Sequence, residues 1–295
     1  MNSGKQSYKY VGAVLLAGIC FGTTGTAQAL GPKGISPLVV GSARLTIGSA
    51  VLWIVHVLFK QRGNRIQFRE LAMAGVGVAL YQLSFFSAVR STGVAIGTLI
   101  AIGSAPAFTG LMAKLIYGED PTRRWAISTV ITTAGIGCLS LAHGAHQVHI
   151  AGIALALGAG ASYSIFAVAS KSAMNAGTSF TESMWKIFAV GAILLSPIYF
   201  IMPIGKLWTL SGVSMSLWLG IVPTAIAYTF YAFGLRHIRV ATASTLILAE
   251  PATATVLAAV ILGEALNFIS LLGIAGVALG LAYLAGESEL PPVNL

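Results

Sequence analysis

The sequence predicts an all-α polytopic membrane protein, with ten transmembrane helices arranged as two inverted-topology five-helix repeats. Three observations carry that expectation. The chain of 295 residues is 56% hydrophobic and only 8% charged, against about 25% charged in an average soluble domain, and its mean hydropathy is +0.86. Its apolar residues gather in runs of about 20, the length that crosses a bilayer. The second half of the chain also echoes the first at a near-constant offset.

The runs, in order, are 10–30, 37–59, 70–90, 92–117, 124–142, 150–170, 179–201, 213–234, 240–262 and 267–286. The spacers between them are short and carry breakers such as "GP", "GEDP" and "NAG". The first run follows Lys5 and Lys9 and contains "AQA" at 27–29, which mimics a signal-peptidase site. It is long for a signal sequence and has a counterpart later in the chain, so a retained helix is expected. Cys20 and Cys138 both fall inside apolar runs, where packing thiols are expected rather than a disulfide or a metal site. The net charge of +9 forms no continuous basic surface, so no nucleic-acid partner is expected; the partners are the lipid bilayer and a small-molecule substrate.

An even number of spans places both termini on one side. With the termini in the cytoplasm, the inner segments hold eleven Lys and Arg (Lys5, Lys9, Lys60, Arg62, Arg65, Arg69, Arg123, Arg124, Lys171, Arg236 and Arg239) and the outer loops three, Lys33, Arg90 and Lys206. That bias predicts a multi-pass protein of the cell inner membrane with cytoplasmic termini.

The repeat is read from spacing. Pro106 is followed thirteen positions later by Glu119, and Pro251 thirteen positions later by Glu264. "VGAVLLAG" (Val11–Gly18) matches "AGIALALG" (Ala151–Gly158), and Tyr81 and Tyr228 open the comparable stretches "YQLSFFSAVR" and "YTFYAFGLRH". The order is the same in both halves, which predicts a first repeat over 1–143, a second over 150–286 and a short cytoplasmic tail over 287–295. Five is odd, so the second copy inserts upside down. Inverted repeats of this kind are a recurring plan of secondary transporters, with the binding site near the midplane.

These features resemble the drug/metabolite transporter superfamily: ten helices, two five-helix repeats, and P-x12-E ending the fourth helix of each. The opening helix "GICFGTTGTAQALGP" (Gly18–Pro32) resembles that of its ten-helix metabolite and amino-acid exporters, including the aromatic amino-acid branch. Phe21, where related exporters often carry a tryptophan, departs from that branch. The resemblance implies a secondary active transporter that exports small metabolites, chiefly amino acids or analogues, across the inner membrane by alternating access. The alternatives are a proton-coupled exporter of lipophilic cations or drugs and, less favoured, a polytopic membrane enzyme.

Enzyme motifs are absent from the sequence. There is no G-x4-G-K-[ST] loop and no H-E-x-x-H, and Asp120 is the single aspartate. No cofactor is expected. "HGAHQVH" (His143–His149) has metal-like spacing but falls in a loop, where solvated histidines are the favoured reading and no metal site is expected.

The chemistry gathers at mid-depth. Glu250 lies about halfway along its span, where ionisable groups tend to face a wet cavity or a partner. Pro251 cannot donate to the carbonyl of Ile247, so the two residues are expected to make a polar notch with one free carbonyl. In the first half Ala105 precedes Pro106, so both prolines mark helix kinks but only one carries a charge. Glu250 is read either as a carboxylate that couples a proton or recognises an amine, or as the partner of Arg44 or Lys186. These two cations sit at matching depths of spans two and seven, and either is also a candidate for a substrate carboxylate. The cavity candidates are Thr24 and Gln28 (first span), Tyr81, Gln82 and Phe85 (third), Tyr163 (sixth), Tyr228 and Tyr231 (eighth) and Thr245 (ninth). Helix-packing roles compete for the threonines and small residues. Such a lining suits a small amphipathic molecule with a neutral or zwitterionic head.

Overall fold

The computed structural model describes residues 3–142 and 149–286. Ten helices are long and apolar enough to cross a membrane: α1 (Tyr8–Ala29), α2 (Pro37–Phe59), α3 (Phe68–Gly93), α4 (Ile96–Tyr117), α5 (Arg123–Ala142), α6 (Ile150–Asn175), α7 (Phe180–Ile201), α8 (Leu210–Leu235), α9 (Val240–Leu262) and α10 (Phe268–Ala285). Each matches one predicted run within a few residues. Large apolar side chains stand on the outside, Phe200 at 90% exposure among them. A water-soluble surface rarely presents a continuous apolar belt of this kind, and a bilayer requires one.

Local chemistry sets the breaks. Between α3 and α4 the helical path breaks at Gly93, whose φ of 82° and ψ of 162° only glycine adopts without strain. Gly97 then returns against the backbone of Val89, so α3 and α4 reverse with almost no loop. In α8, Pro223 interrupts the hydrogen-bond ladder inside a π-turn over Ile221–Ile226, and the hydroxyl of Thr224 donates to the Leu219 carbonyl at 2.7 Å. In α9, Pro251 has the same effect. The Ile247 carbonyl is not left free as expected, because the backbone N–H of Glu250 donates to it at 2.9 Å, closing a tight turn. The two Gly-Glu pairs are helix stops. Gly118 and Gly263 adopt left-handed φ values of 66° and 72°, and the N–H groups of Glu119 and Glu264 reach back six residues to the carbonyls of Ala113 and Ala258. This is the glycine C-cap in which the residue after glycine satisfies a terminal carbonyl.

Packing repeats under the exchange of α1 with α6, α2 with α7, α3 with α8, α4 with α9 and α5 with α10. Gly18 and Gly22 of α1 lie against Ala249 and Thr253 of α9, while Gly160 of α6 lies against Ser104 of α4. Gly77 of α3 meets the backbone of Phe166 in α6, and Gly234 of α8 meets Tyr10 and Val14 of α1. Gly48 (α2) faces Thr224 (α8), as Gly75 (α3) faces Val190 (α7). Small residues at these crossings let the backbones approach, which is how helices associate where no hydrophobic drive separates protein from lipid.

The end where α1 begins is the basic end. There Tyr117 Oη donates to the Val168 carbonyl at 2.6 Å and Trp125 Nε1 to the Ala241 carbonyl at 3.0 Å, each tying one half to the other. Lys171, counted in the sequence among the inner charges, is fully buried. Its Nζ donates to the carbonyls of Leu235, Arg236 and Ile238 at 2.7, 3.0 and 3.1 Å. It caps the end of α8, where a cation meets the negative pole of the helix.

Candidate substrate chamber

Midway between the halves, α2, α3, α6, α7 and α8 enclose a small chamber. Tyr81 and Gln82 enter from α3, Tyr163 and Phe166 from α6, Phe188 from α7, Tyr228 from α8 and Arg44 from α2, with Leu45 and Val78 completing the wall. Its volume is about 20 Å³, room for roughly one water molecule. The rings form a connected set. Tyr81 stacks on Phe85 at 5.5 Å and meets Tyr163 edge-on at 6.2 Å. Tyr228 packs on Phe188 at 4.3 Å and on Phe21 of α1 at 4.8 Å. Tyr163 Oη donates to Tyr231 Oη at 3.2 Å, and Tyr231 is completely buried behind the wall.

Each polar group is placed by a local device. Gly41 has no side chain, so Gln82 can bring its amide to the Gly41 carbonyl at 3.4 Å; a Cβ there would stand 2.9 Å from the Gln82 nitrogen. Arg44 is held by the π-turn of α8, its Nε donating to Thr224 Oγ1 at 3.3 Å and its Nη2 to the Pro223 carbonyl at 3.4 Å. Glu250 is partly buried on α9, one residue before the buried Pro251 and outside the chamber's lining.

The chamber unites Arg44, Tyr81, Gln82, Tyr163 and Tyr228, with Phe85 and Tyr231 directly behind two of the rings. Other candidates lie elsewhere. Thr245 bonds across to Thr129 of α5 at 3.0 Å. Gln28 borders a crevice at the α1–α2 loop, and Thr24 is partly buried on α1 away from the chamber wall. Lys186 pairs with Glu182 one turn away in its own helix. Among the described residues no ion pair joins Glu250 to Arg44 or Lys186. The two cations are already engaged, by the π-turn and by Glu182. The histidine run at 143–148 lies outside the described residues, and only His149 of that set is seen, at the start of α6.

Phe166 and Phe188 belong to the chamber and were not singled out from sequence. A phenylalanine in an apolar run looks the same whether it faces lipid, a neighbour or a site. Phe166 carried one usable signal, its position one helical turn beyond Tyr163 on the same face.

Toward the end opposite the basic one, two grooves flank α1. One of about 500 Å³ runs between α1, α8 and α9, lined by Thr23, Thr26, Trp218 and Leu257 among others. The second, about 330 Å³, lies between α1, α4, α5 and α9 and includes Pro251, Thr255 and Glu264.

Two inverted five-helix halves closing on a central polar chamber, all within membrane-spanning helices, define a multi-pass membrane transporter. The profile of the EamA-like transporter family matches the chain twice, over residues 9–141 and 150–286, and the chain belongs to that family. Within the wider drug/metabolite transporter group, it is 38% identical over 273 residues to the uncharacterized transporter YwfM of Bacillus subtilis (strain 168), covering 92% of each chain. It is 28% identical to the threonine/homoserine exporter RhtA of Escherichia coli (strain K12), over 83% of this chain and 82% of that one. It is 25% identical to a probable terminal-alkyne amino-acid exporter of Streptantibioticus cattleyicolor, over 92% and 93% respectively. A solved crystal structure aligns with a TM-score of 0.82 at 20% identity, covering 94% of this chain and 98% of that one, which shows a shared fold. The chain is a membrane transporter of small molecules.

Proposed function

We propose that this protein exports amino acids, or close analogues, across the cell inner membrane by alternating access. One observation carries the reading: a guanidinium, a glutamine amide and three tyrosines from both halves converge on one chamber. Rings supply apolar contact and hydroxyls, and a charged group fixes one end of the ligand, the usual make-up of a small-molecule site. The amino-acid exporters among its relatives point the same way. The grooves lie at the end opposite the basic one, and the mirrored packing supplies a second, inverted arrangement of nearly the same contacts. The charge bias of the loops supports cytoplasmic termini.

Proteoliposome counterflow tests this. Vesicles preloaded with neutral aliphatic or aromatic amino acids should accelerate uptake of the labelled compound, and ethidium should not compete. Exchange of lipophilic cations with no amino-acid counterflow would refute the assignment.

A further inference from the structure

The chamber carries charge of one sign. Among the described residues Arg44 is the one charged side chain of its wall, and no carboxylate lines it. The guanidinium offers five N–H donors. Nε and Nη2, the atoms of one edge, are engaged by the π-turn of α8: Nε donates to Thr224 Oγ1 at 3.3 Å and Nη2 to the Pro223 carbonyl at 3.4 Å. Thr224 is buried, and its own O–H is committed to the Leu219 carbonyl at 2.7 Å, so its oxygen can only accept from Arg44. Nη1 has no protein acceptor among the described residues, and no ion pair neutralises the side chain.

A cation met only by two long bonds to neutral oxygens is poorly compensated where water is scarce. One edge of the fork is thus fixed by backbone geometry while the charge stays unmet. The rest of the wall is aromatic, aliphatic or neutral polar: Tyr81, Gln82, Tyr163, Phe166, Phe188 and Tyr228. These groups can contact an apolar body and an amine, but none demands that the amine be charged.

We propose that the chamber selects its substrate by the carboxylate alone. The ligand class is small monocarboxylates with an apolar body, and the amino group of an amino acid is not read. Arg44 is the specificity-determining residue, because its planar fork suits charge-assisted bonds to a carboxylate. Thr224 is a positioning residue that holds the fork in place. At about 20 Å³ the chamber has room for roughly one water-sized group, so the ligand's body must displace ring walls, whereas its carboxylate finds donors already in place. The inference rests on the amino-acid exporter reading of this chamber and adds which end of the molecule is recognised.

Calorimetric titration of the purified full chain tests it. The probes are L-phenylalanine, 3-phenylpropionate, which lacks the amine, and 2-phenylethylamine, which lacks the carboxylate, with L-leucine, 4-methylpentanoate and isoamylamine as the aliphatic set. On the unaltered protein each amino acid and its deaminated acid should bind within about threefold of one another. The amines should bind at least about tenfold more weakly, the loss of a charge-assisted bond. Arg44→Gln should abolish the preference for acids over amines. Thr224→Val should reduce that preference and leave the binding of the amines unchanged, a selectivity that loosening of the fold does not produce. Deaminated acids that bind at least tenfold more weakly than the amino acids, or amines that bind as well as the acids, would overturn the proposal and leave amino-acid export standing. Failure of every carboxylate to bind, with amino-acid counterflow present, would do the same. With counterflow also absent, the exporter reading falls too. The analogues act on the unaltered protein, so a variant that fails to fold does not shield the proposal.

Discussion

Glu250 and Pro251 are tolerated in the middle of α9 because neither faces lipid. The proline withdraws one N–H, and the N–H of Glu250 takes over the Ile247 carbonyl. Gln82 tests the chamber itself. Gln82→Ala should lower counterflow several-fold at unchanged expression and unfolding temperature, since the lost bond is long and its partner, the Gly41 carbonyl, keeps its place in α2. Unchanged transport would move the binding site elsewhere. Glu119, beyond the end of α4, offers a pH test. Burial raises its pKa above the ordinary 4.5, against the pull of Lys171 and Arg239, and its Oε2 is buried with no hydrogen-bond partner. The folded protein therefore holds this proton more tightly than the unfolded chain. Stability from this group is present at low pH and is lost as pH rises from 4.5 through the raised value. Glu119→Gln should raise the unfolding temperature at pH 7, and the gain should shrink as pH falls into that window. A gain that persists at pH 4 would mean that packing, not ionisation, is responsible.

At the scale of the helix, glycines decide how closely partners approach. A Cβ on Gly22 would stand 2.6 Å from Thr253 Cβ and 2.9 Å from the Glu250 carbonyl oxygen, whereas one on Gly25 would meet nothing within 4 Å. Gly22→Ala should therefore cost on the order of 1–3 kcal/mol as α1 is pushed off α9, and Gly25→Ala should be nearly neutral or slightly stabilising; thermal unfolding in detergent compares them. Gly263 has open space around it, but its φ is 72°. Gly263→Ala should cost about 1 kcal/mol from backbone strain alone. The same pattern explains why P-x12-E recurs. The proline loosens the middle of the helix and the Gly-Glu pair caps its end, so the repeated motif is first a device for building a helix of set length. Its two copies differ in their surroundings. Glu119 is partly buried near the cations Lys171 and Arg239, while Glu264 is exposed beside a groove.

The whole molecule is a nearly symmetric scaffold with asymmetric ends. At the basic end Tyr117, Trp125 and Arg239 reach across between the halves, Arg239 Nη1 donating to the Asp120 carbonyl at 3.4 Å. The opposite end carries the two large grooves. If the basic end is cytoplasmic, as the loop charges argue, the 143–149 loop faces outward. A cysteine placed at Gly144, in a chain whose Cys20 and Cys138 are changed to serine, should then react with a membrane-impermeant maleimide added outside intact cells. Labelling confined to inverted vesicles would reverse the orientation.

Much of this protein follows from sequence alone. Ten spans, their order and the five-plus-five inversion follow from run length, parity and spacing, because a bilayer demands helices of one length and satisfies every backbone group within them. The mid-depth tyrosines Tyr81, Tyr163 and Tyr228 and the glutamine Gln82 were legible for the same reason: polar groups there need a reason to exist. Partnership was not legible. Whether Arg44 meets Glu250 or a π-turn, whether Lys186 meets the chamber or Glu182, and whether Lys171 is solvated or caps α8 depends on rotation about helix axes and on turns made by Pro223 and Pro251. Apolar periodicity is nearly silent on rotation when a helix is greasy on every face. Tertiary packing of glycine against backbone settles it, and with it which aromatic rings close the chamber and which face lipid.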